Sequence, residues 1–499
     1  MAANSNVTTS QNWPKPADST SLSTSQRWWR AYRGALIADW AERRRDVRVK
    51  LVLALALLLA ITASVLTAAN VNAVIADRAL AKQVEVARWD GQGKKNAHSA
   101  AHYGIYVFKP VSALAAIEPG IERHVGSTVW LEAHKQNEFV LRPANDRLEA
   151  ARQLPLTPAL VLQVLAPVAM IFLGFGLFAA ERERGTLRSL RMTAASFTAI
   201  GAARATTLWL AGAALALPMI VAVIVVLMAH VTANPFVDVA TRSGLFAVGY
   251  AAYLAIWALT IAAVSASSRT ARAALATLIA LWALWALVLP RVAVEVAEAA
   301  KALPSAQAFR EQMERELGEP HDPDVEAKYK ADILAKYGVT DTKDLPVNWS
   351  GLSLARGEAR GDKIFDRHYG AIFAALESQS AAMSSFGWLS PGIAVATLSA
   401  SAAASDTAHH IQFVRDAEAH RRVIQTMLND FITKNPDRDG QRVDGDAALW
   451  KSIPAFDYRF PAWQSVGSYA PLAQLALLFL VALGVFWWRC HALLKEVQR

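Results

Sequence analysis

The sequence predicts an all-α membrane protein: six transmembrane helices, a large and mainly helical periplasmic domain, and a smaller periplasmic insertion. Three observations carry that expectation. Six blocks of roughly 20 residues contain no charged side chain, the length at which a helix crosses the hydrocarbon core of a bilayer. The longest stretch outside them repeats apolar residues at helical spacing. Lys and Arg concentrate in the segments that one orientation places inside. Composition agrees, with 54% hydrophobic and 19% charged residues, where a soluble domain carries about 25% charged. A soluble globular enzyme, a disordered scaffold and a fibrous protein are excluded.

Taken in order, residues 1–26 form a Ser/Thr-rich cytoplasmic extension expected to be disordered. Over 27–50, Trp28, Tyr32, Leu36 and Trp40 recur about every fourth residue between arginines, with Trp29 adjoining. That pattern predicts an amphipathic helix lying in the membrane interface. The spans follow at 51–69, 156–180, 205–228, 243–266, 273–289 and 469–488. The first has some 50 residues before it, too many for a secretory signal, and reads as a retained anchor. The fifth, at about 17 residues, is near the lower limit for crossing.

With the N-terminus inside, the cytoplasmic segments 1–50, 181–204, 267–272 and 489–499 hold 19 of the 51 Lys and Arg and 7 of the 42 Asp and Glu. The remainder, about three times longer, is slightly acidic. The net charge of +9 is therefore a topology signal, and no nucleic-acid partner is expected. Both termini fall in the cytoplasm of a bacterial inner membrane. Two external regions remain, 70–155 and 290–467. The second predicts helices over 292–303, 305–317, 324–337, 353–383 and 407–434. Residues 386–404 are apolar but contain Ser-Pro and Gly, and read as a buried or interface-lying segment rather than a seventh span.

No Asp, Glu, Lys, Arg or His lies inside the six blocks, which disfavours an ion-coupled carrier, since such carriers keep titratable groups at membrane depth. No Walker phosphate loop is present. The chain is expected to be no enzyme and to bind no cofactor. Gln163 and Pro167 in the second span and Pro218 in the third are candidate pathway residues, able to kink a helix or face a cavity. Gly174 and Gly176 permit close helix packing.

A single cysteine, Cys490, excludes a Cys-based metal cage. His98 and His102, at i and i+4, could share a helical face and a metal, but no third ligand is evident nearby, so no metal site is expected. His409 and His410 are adjacent and point apart on a helix. Glu132, His134, Gln136 and Asn137 lie close in sequence in the first external region; Glu132 and His134 could hold that region together or touch cargo, with structural use the favoured reading.

The segment after the second span carries the strongest functional signal. Glu181, Arg182, Glu183, Arg184, Gly185, Thr186, Leu187 and Arg188 read Glu-Arg-Glu-Arg-Gly-Thr-Leu-Arg, followed by Leu190. Two carboxylates sit on the first turn of a short helix, where the helix dipole favours them. Leu187 and Leu190, three apart, form an apolar face able to enter a groove on a partner. The motif resembles the coupling region of type-2 ABC transporter permeases, with Ala203-Arg204 standing where Gly-Lys is usual. Arg269 and Arg272, between the fourth and fifth spans, occupy the position of that family's second cytoplasmic contact. Residues 103–110, Pro119-Gly120, the stretch 129–137, Leu389-Ser390-Pro391, 406–410 and 456–459 resemble one bacterial branch with two periplasmic insertions.

That resemblance implies the membrane subunit of an ATP-driven transporter, an exporter by the habit of its type. A separate cytoplasmic ATPase would bind the ATP and Mg2+, and the permease would act as a homodimer or as a heterodimer with a related permease. Residues 27–50 would be its elbow helix. The alternatives are a membrane-anchored periplasmic binding or maturation module of an ABC-type assembly system and, less favoured, a secondary carrier.

Overall fold

The computed structural model describes residues 23–137, 156–192, 196–229, 236–320, 322–436 and 444–496. Most of the expected N-terminal extension and the end of the first external region lie outside them. The fold is mostly helical, and among the described residues six helices are long and apolar enough to cross a membrane: Val47–Asp90, Pro158–Glu183, Phe197–Ala229, Val237–Ser267, Ala271–Ala300 and Ala470–Leu493.

Helix α1 (Thr24–Arg45) opens on a capping box between Ser23 and Gln26 and is followed by α2 (Val47–Asp90), which Asp46 caps. The expected end of the first span near residue 69 is no helix end. The helical pattern continues unbroken for about 30 Å more, because no Gly or Pro interrupts it before Gly91. Short α3 (Ala97–Tyr103) follows.

The all-α expectation needs correction here. β1 (Ile105–Phe108), β2 (Thr128–Glu132) and β3 (Lys135–Gln136) form an antiparallel sheet in that order. Val107, Val129 and Leu131 alternate inward while the Tyr106 and Trp130 rings meet on the other face at a tilt, their centres 4.4 Å apart. The strands are too short for their alternation to stand out in the sequence.

The second and fifth spans use the same device. A π turn at Val161–Leu165 precedes Pro167 and α4 (Ala166–Gly174), and another at Leu284–Val288 precedes Pro290. Widening the helix by one residue accommodates a ring that has no N–H to donate. Between them run α5 (Ala179–Glu183), α6 (Leu187–Met192), α7 (Phe197–Ala214), α8 (Leu217–Ala229), α9 (Phe236–Ser267) and α10 (Ala271–Ala283). The third span is thus split at Leu215-Ala216, just before Pro218. Gly174 has no room for a side chain: a Cβ there would lie 2.6 Å from both Ile261 and Leu208.

Beyond the fifth span, α11 (Leu289–Ala300) continues it, followed by α12 (Ala306–Gly318), α13 (Pro323–Tyr337), α14 (Trp349–Ser385), α15 (Pro391–Ala402), α16 (Thr407–Lys434), α17 (Ala447–Ser452) and α18 (Ala470–Glu496). Twelve-residue α15 is too short to span and is buried in the bundle core through Ala394, Val395 and Leu398.

The two regions outside the spans share a single core. Trp89, Val107, Leu131, Ala417, Ile424, Leu428 and Trp450 pack together. Trp89 Nε1 donates to the Trp450 carbonyl (3.1 Å), and Trp450 Nε1 donates to the Gly93 carbonyl (2.8 Å). The far end of α2, the sheet, α14 and α16 therefore make one lobe.

Candidate functional site

The segment 175–192 sits at the end of the bundle opposite the lobe, and its two halves face different ways. The inward half begins where α4 ends. The chain turns over residues 175–178, freeing backbone groups that need partners. Buried Ser265 supplies them: its Oγ accepts from the N–H of Phe178 (2.9 Å) and Ala179 (3.2 Å) and donates to the Phe175 carbonyl (2.8 Å). Sequence reasoning missed Ser265, whose only signal was a hydroxyl inside an apolar block.

Glu181 accepts a two-pronged hydrogen bond from Arg204 at 2.5 and 3.0 Å, the geometry in which a guanidinium pairs most strongly with a carboxylate. The Arg204 guanidinium also donates to the Leu177 carbonyl and lies 5.1 Å from the Phe178 ring centre. Arg182 donates to the carbonyls of Ala266 (2.9 Å) and Ser268. Leu187, 5% exposed, packs among Phe178, Phe197, Ile200, Ala266 and Leu493, with Leu190 against the same cluster. The expected outward apolar face is thus overturned. Periodicity shows that Leu187 and Leu190 share a side but not what that side meets, and the bundle's own α7, α9 and α18 reach it first.

The outward half consists of Glu183, Arg184, Gly185, Thr186 and Arg188, all exposed. Gly185 has φ +74° and open space around it, the left-handed turn between α5 and α6. Glu183, Arg184 and Arg188 form no ion pair among the described residues. Arg269 is exposed on the neighbouring loop, and Arg272 is exposed on the first turn of α10.

Helix α1 lies against α7 at this same end. Trp28 Nε1 donates to Thr198 Oγ1 (3.0 Å) and Tyr32 to Thr206 Oγ1 (3.1 Å). Arg43 pairs with Asp39 (2.7 Å), which also accepts from Thr207, and donates to the Leu173 carbonyl (3.0 Å). Trp28 and Tyr32 of the stripe therefore bond to protein where lipid was expected, while Leu36 is half-buried. Trp29, Ile37 and Trp40 are the exposed apolar side chains, at 56%, 71% and 48%.

The candidate pathway residues do not line the cavity described next. Gln163 Nε2 reaches Tyr250 Oη (2.8 Å), Glu118 Oε2 (3.0 Å) and Ser399 Oγ (3.3 Å), tying the second span to the fourth and to α15. Pro167 and Pro218 mark helix irregularities. A cavity of about 420 Å³ lies where α2, α8 and α9 meet the lobe, walled by Arg78, Lys82, Lys109, Arg242, Phe456 and Tyr458. Burial pulls the Lys109 ammonium below its usual range against the opposing pull of Glu122, with which it pairs.

In the lobe, α14 and α16 are joined by charges. Arg421, 1% exposed, reaches Asp362 (2.5 Å), Glu418 (2.7 Å) and Glu358 (3.4 Å), and Arg422 pairs with Asp366 (2.7 Å) and Glu418 (2.9 Å). Burial opposes the Arg421 charge, but the hydrogen bonds and charge of Glu418, with Asp362 and Glu358, outweigh it and raise its pKa.

Glu132, His134, Gln136 and Asn137 are divided between two sets of partners. Asn137 bridges Glu132 (2.9 Å) and the Trp130 carbonyl (3.0 Å), and Tyr369 donates to the Gln136 carbonyl (3.3 Å). His134 turns away to meet Glu358 (2.7 Å), and it completes a trio with His98 and His102. His409 and His410 do part: buried His409 sits between Asp406 (2.6 Å) and Arg242 (3.3 Å), while His410 lies toward Lys109.

A family model described as Domain of unknown function (DUF3526) matches residues 306–459, the stretch that contains α12 to α17 and the Arg421 network. No curated protein and no solved structure matches the chain.

Proposed function

We propose that this chain is the membrane subunit of an ATP-driven ABC transporter, an exporter of the type-2 permease kind, moved by a separate cytoplasmic ATPase. The observation that carries this reading is the two-sidedness of the 175–192 segment. Its inward half is fastened to the third, fourth and sixth spans through Arg204, Ser265 and Leu493, so force applied to it reaches the bundle. Its outward half offers the charges of Glu183, Arg184 and Arg188, which form no ion pair among the described residues, beside a Thr186 hydroxyl that donates to the Glu181 carbonyl (3.3 Å). A groove on an ATPase subunit would engage Glu183, Arg184, Thr186 and Arg188, with Arg269 and Arg272 alongside.

On this reading the segment is cytoplasmic, as the density of Lys and Arg at that end favours, and the lobe is periplasmic. The chain would act in a bacterial inner membrane as a dimer with itself or a related permease. Apolar side chains exposed along the spans, among them Leu55, Ile61, Ile224, Leu480 and Val481, would be covered by lipid and by that second permease.

Purification of the chain from its native membrane in mild detergent, with the associated proteins identified by mass spectrometry, tests the proposal. An ABC-type ATPase is expected with the wild type and is expected to be lost from the doubly charge-reversed Glu183→Arg, Arg188→Glu variant. Absence of any ATPase, or equal recovery with the variant, would remove the segment from the mechanism.

A further inference from the structure

We infer that His98, His102 and His134 form a binding site for a divalent transition-metal ion on the outer face of the lobe, independently of how the bundle is driven. His98 and His102 stand one turn apart on α3, whose other side buries Ala97, Ala100 and Ala101. Their Nε2 atoms approach to 3.2 Å. Two imidazole nitrogens on one tetrahedral zinc ion, each about 2.0–2.1 Å from the metal, lie about 3.3 Å apart.

His134 supplies the third nitrogen from the two-residue turn between β2 and β3. One ligand atom from each of the three histidines falls within 4.8 Å of the others. That span is wider than a bound ion would allow, and exposed His102 and His134 can close it by side-chain rotation.

The surroundings are those of a ligand set rather than of three surface histidines. His134 has φ +60°, a left-handed conformation that turns of this kind ordinarily give to Gly or Asn and that costs a side chain about 1–2 kcal/mol. The turn is held there twice: Ala133 N–H donates to the Ala101 carbonyl on α3 (3.1 Å), and His134 N–H donates to Glu358 Oε1 (3.1 Å). The same carboxylate accepts from His134 Nδ1 (2.7 Å) and is backed by Arg421. A carboxylate on Nδ1 fixes the tautomer that leaves Nε2 as ligand, the arrangement found behind metal-binding histidines.

An all-imidazole donor set suits zinc, copper(II) or nickel and not magnesium or calcium, which take oxygen. Three protein ligands on an exposed face leave a coordination position for water or for a donor atom of a bound molecule. A closed structural site would have filled it.

The test uses the full-length protein in detergent micelles, stripped with chelator and titrated with ZnCl2 or MgCl2 in a calorimeter. One equivalent of Zn2+ is expected to bind, and Mg2+ is not. His102→Ala and His134→Gly should each weaken Zn2+ binding at least about 100-fold, and Glu358→Gln about 10- to 100-fold. His134→Gly fits the left-handed turn, so its thermal unfolding should match or exceed that of the wild type without metal. Copper(II) electron paramagnetic resonance of the wild type needs no variant and should show coupling to several imidazole nitrogens. Unchanged Zn2+ affinity in His102→Ala and His134→Gly, absence of stoichiometric Zn2+ binding, or a copper spectrum without imidazole coupling would overturn the assignment.

Discussion

The two ends of the molecule handle charge in opposite ways. In the lobe, Arg421 and Arg422 are shared among Glu358, Asp362, Asp366 and Glu418, so that α14 and α16 neutralise each other. At the far end of the bundle, Glu181 and Arg182 are spent on the chain's own backbone and on Arg204, while Glu183, Arg184 and Arg188, a few residues on, face outward without an ion partner among the described residues. Satisfied charges fix a shape, and unsatisfied ones on a fixed shape are what a second molecule can read. The difference lies in placement, since both regions draw on the same residue types.

The contrast is breakable. Its largest test is Arg421→Met, which leaves three carboxylates facing one another with their common cation gone. Loss of one partner from a buried charge cluster costs about 3–5 kcal/mol, and denaturant unfolding followed by tryptophan fluorescence should show the lobe melting early.

Next is Leu187→Ala. Because Leu187 is packed inside the bundle, truncation should cost about 2–4 kcal/mol and lower the thermal midpoint of the isolated subunit. Were Leu187 a contact to a partner only, the isolated subunit would be indifferent to the change.

A third test uses pH. Burial, with Lys109 adding to it, pushes the His410 imidazole down to about 3 from an ordinary 6.5. As pH falls from about 6.5 toward 3 the unfolded chain takes up a proton that the folded one refuses. Stability should therefore drop with acidification by up to about 1.4 kcal/mol per pH unit. His410→Gln should flatten that slope across the same window in melts recorded from pH 7 to 4.

The smallest effect belongs to the outward half. Glu183→Ala and Arg188→Ala should each leave stability within about 0.5 kcal/mol of the wild type in the same melts. A larger loss would mean that these side chains hold the chain together and are not free for another protein.

Much of this was legible beforehand because it is local. Charge-free blocks gave six spans, helical periodicity placed α16 at Thr407–Lys434 to the residue, and Pro167 and Pro218 marked where helices deform. Facing was harder. The Trp28, Tyr32 and Leu36 stripe and the Leu187, Leu190 pair are real faces, but a period is silent about whether lipid, a partner or the chain's own helices lie opposite. Long-range pairing was invisible. His134 follows His102 by two strands and their connections, and Glu358 by far more, so the histidine trio exists only once α3, the hairpin and α14 have come together. Trp89 and Trp450 likewise gave no hint that the two outer regions share a core.

Helix α2 has a mechanical consequence. At 44 residues it runs about 66 Å without a break, starting beside α1 and ending with Glu85, Arg88 and Trp89 embedded in the lobe. Such a rod cannot tilt at one end and stay still at the other. A rotation of a few degrees in the first span becomes a displacement of several ångströms among the lobe's helices, carrying α3 with it. Whatever the lobe holds would then feel any tilt of the first span directly, with no flexible tether to absorb it.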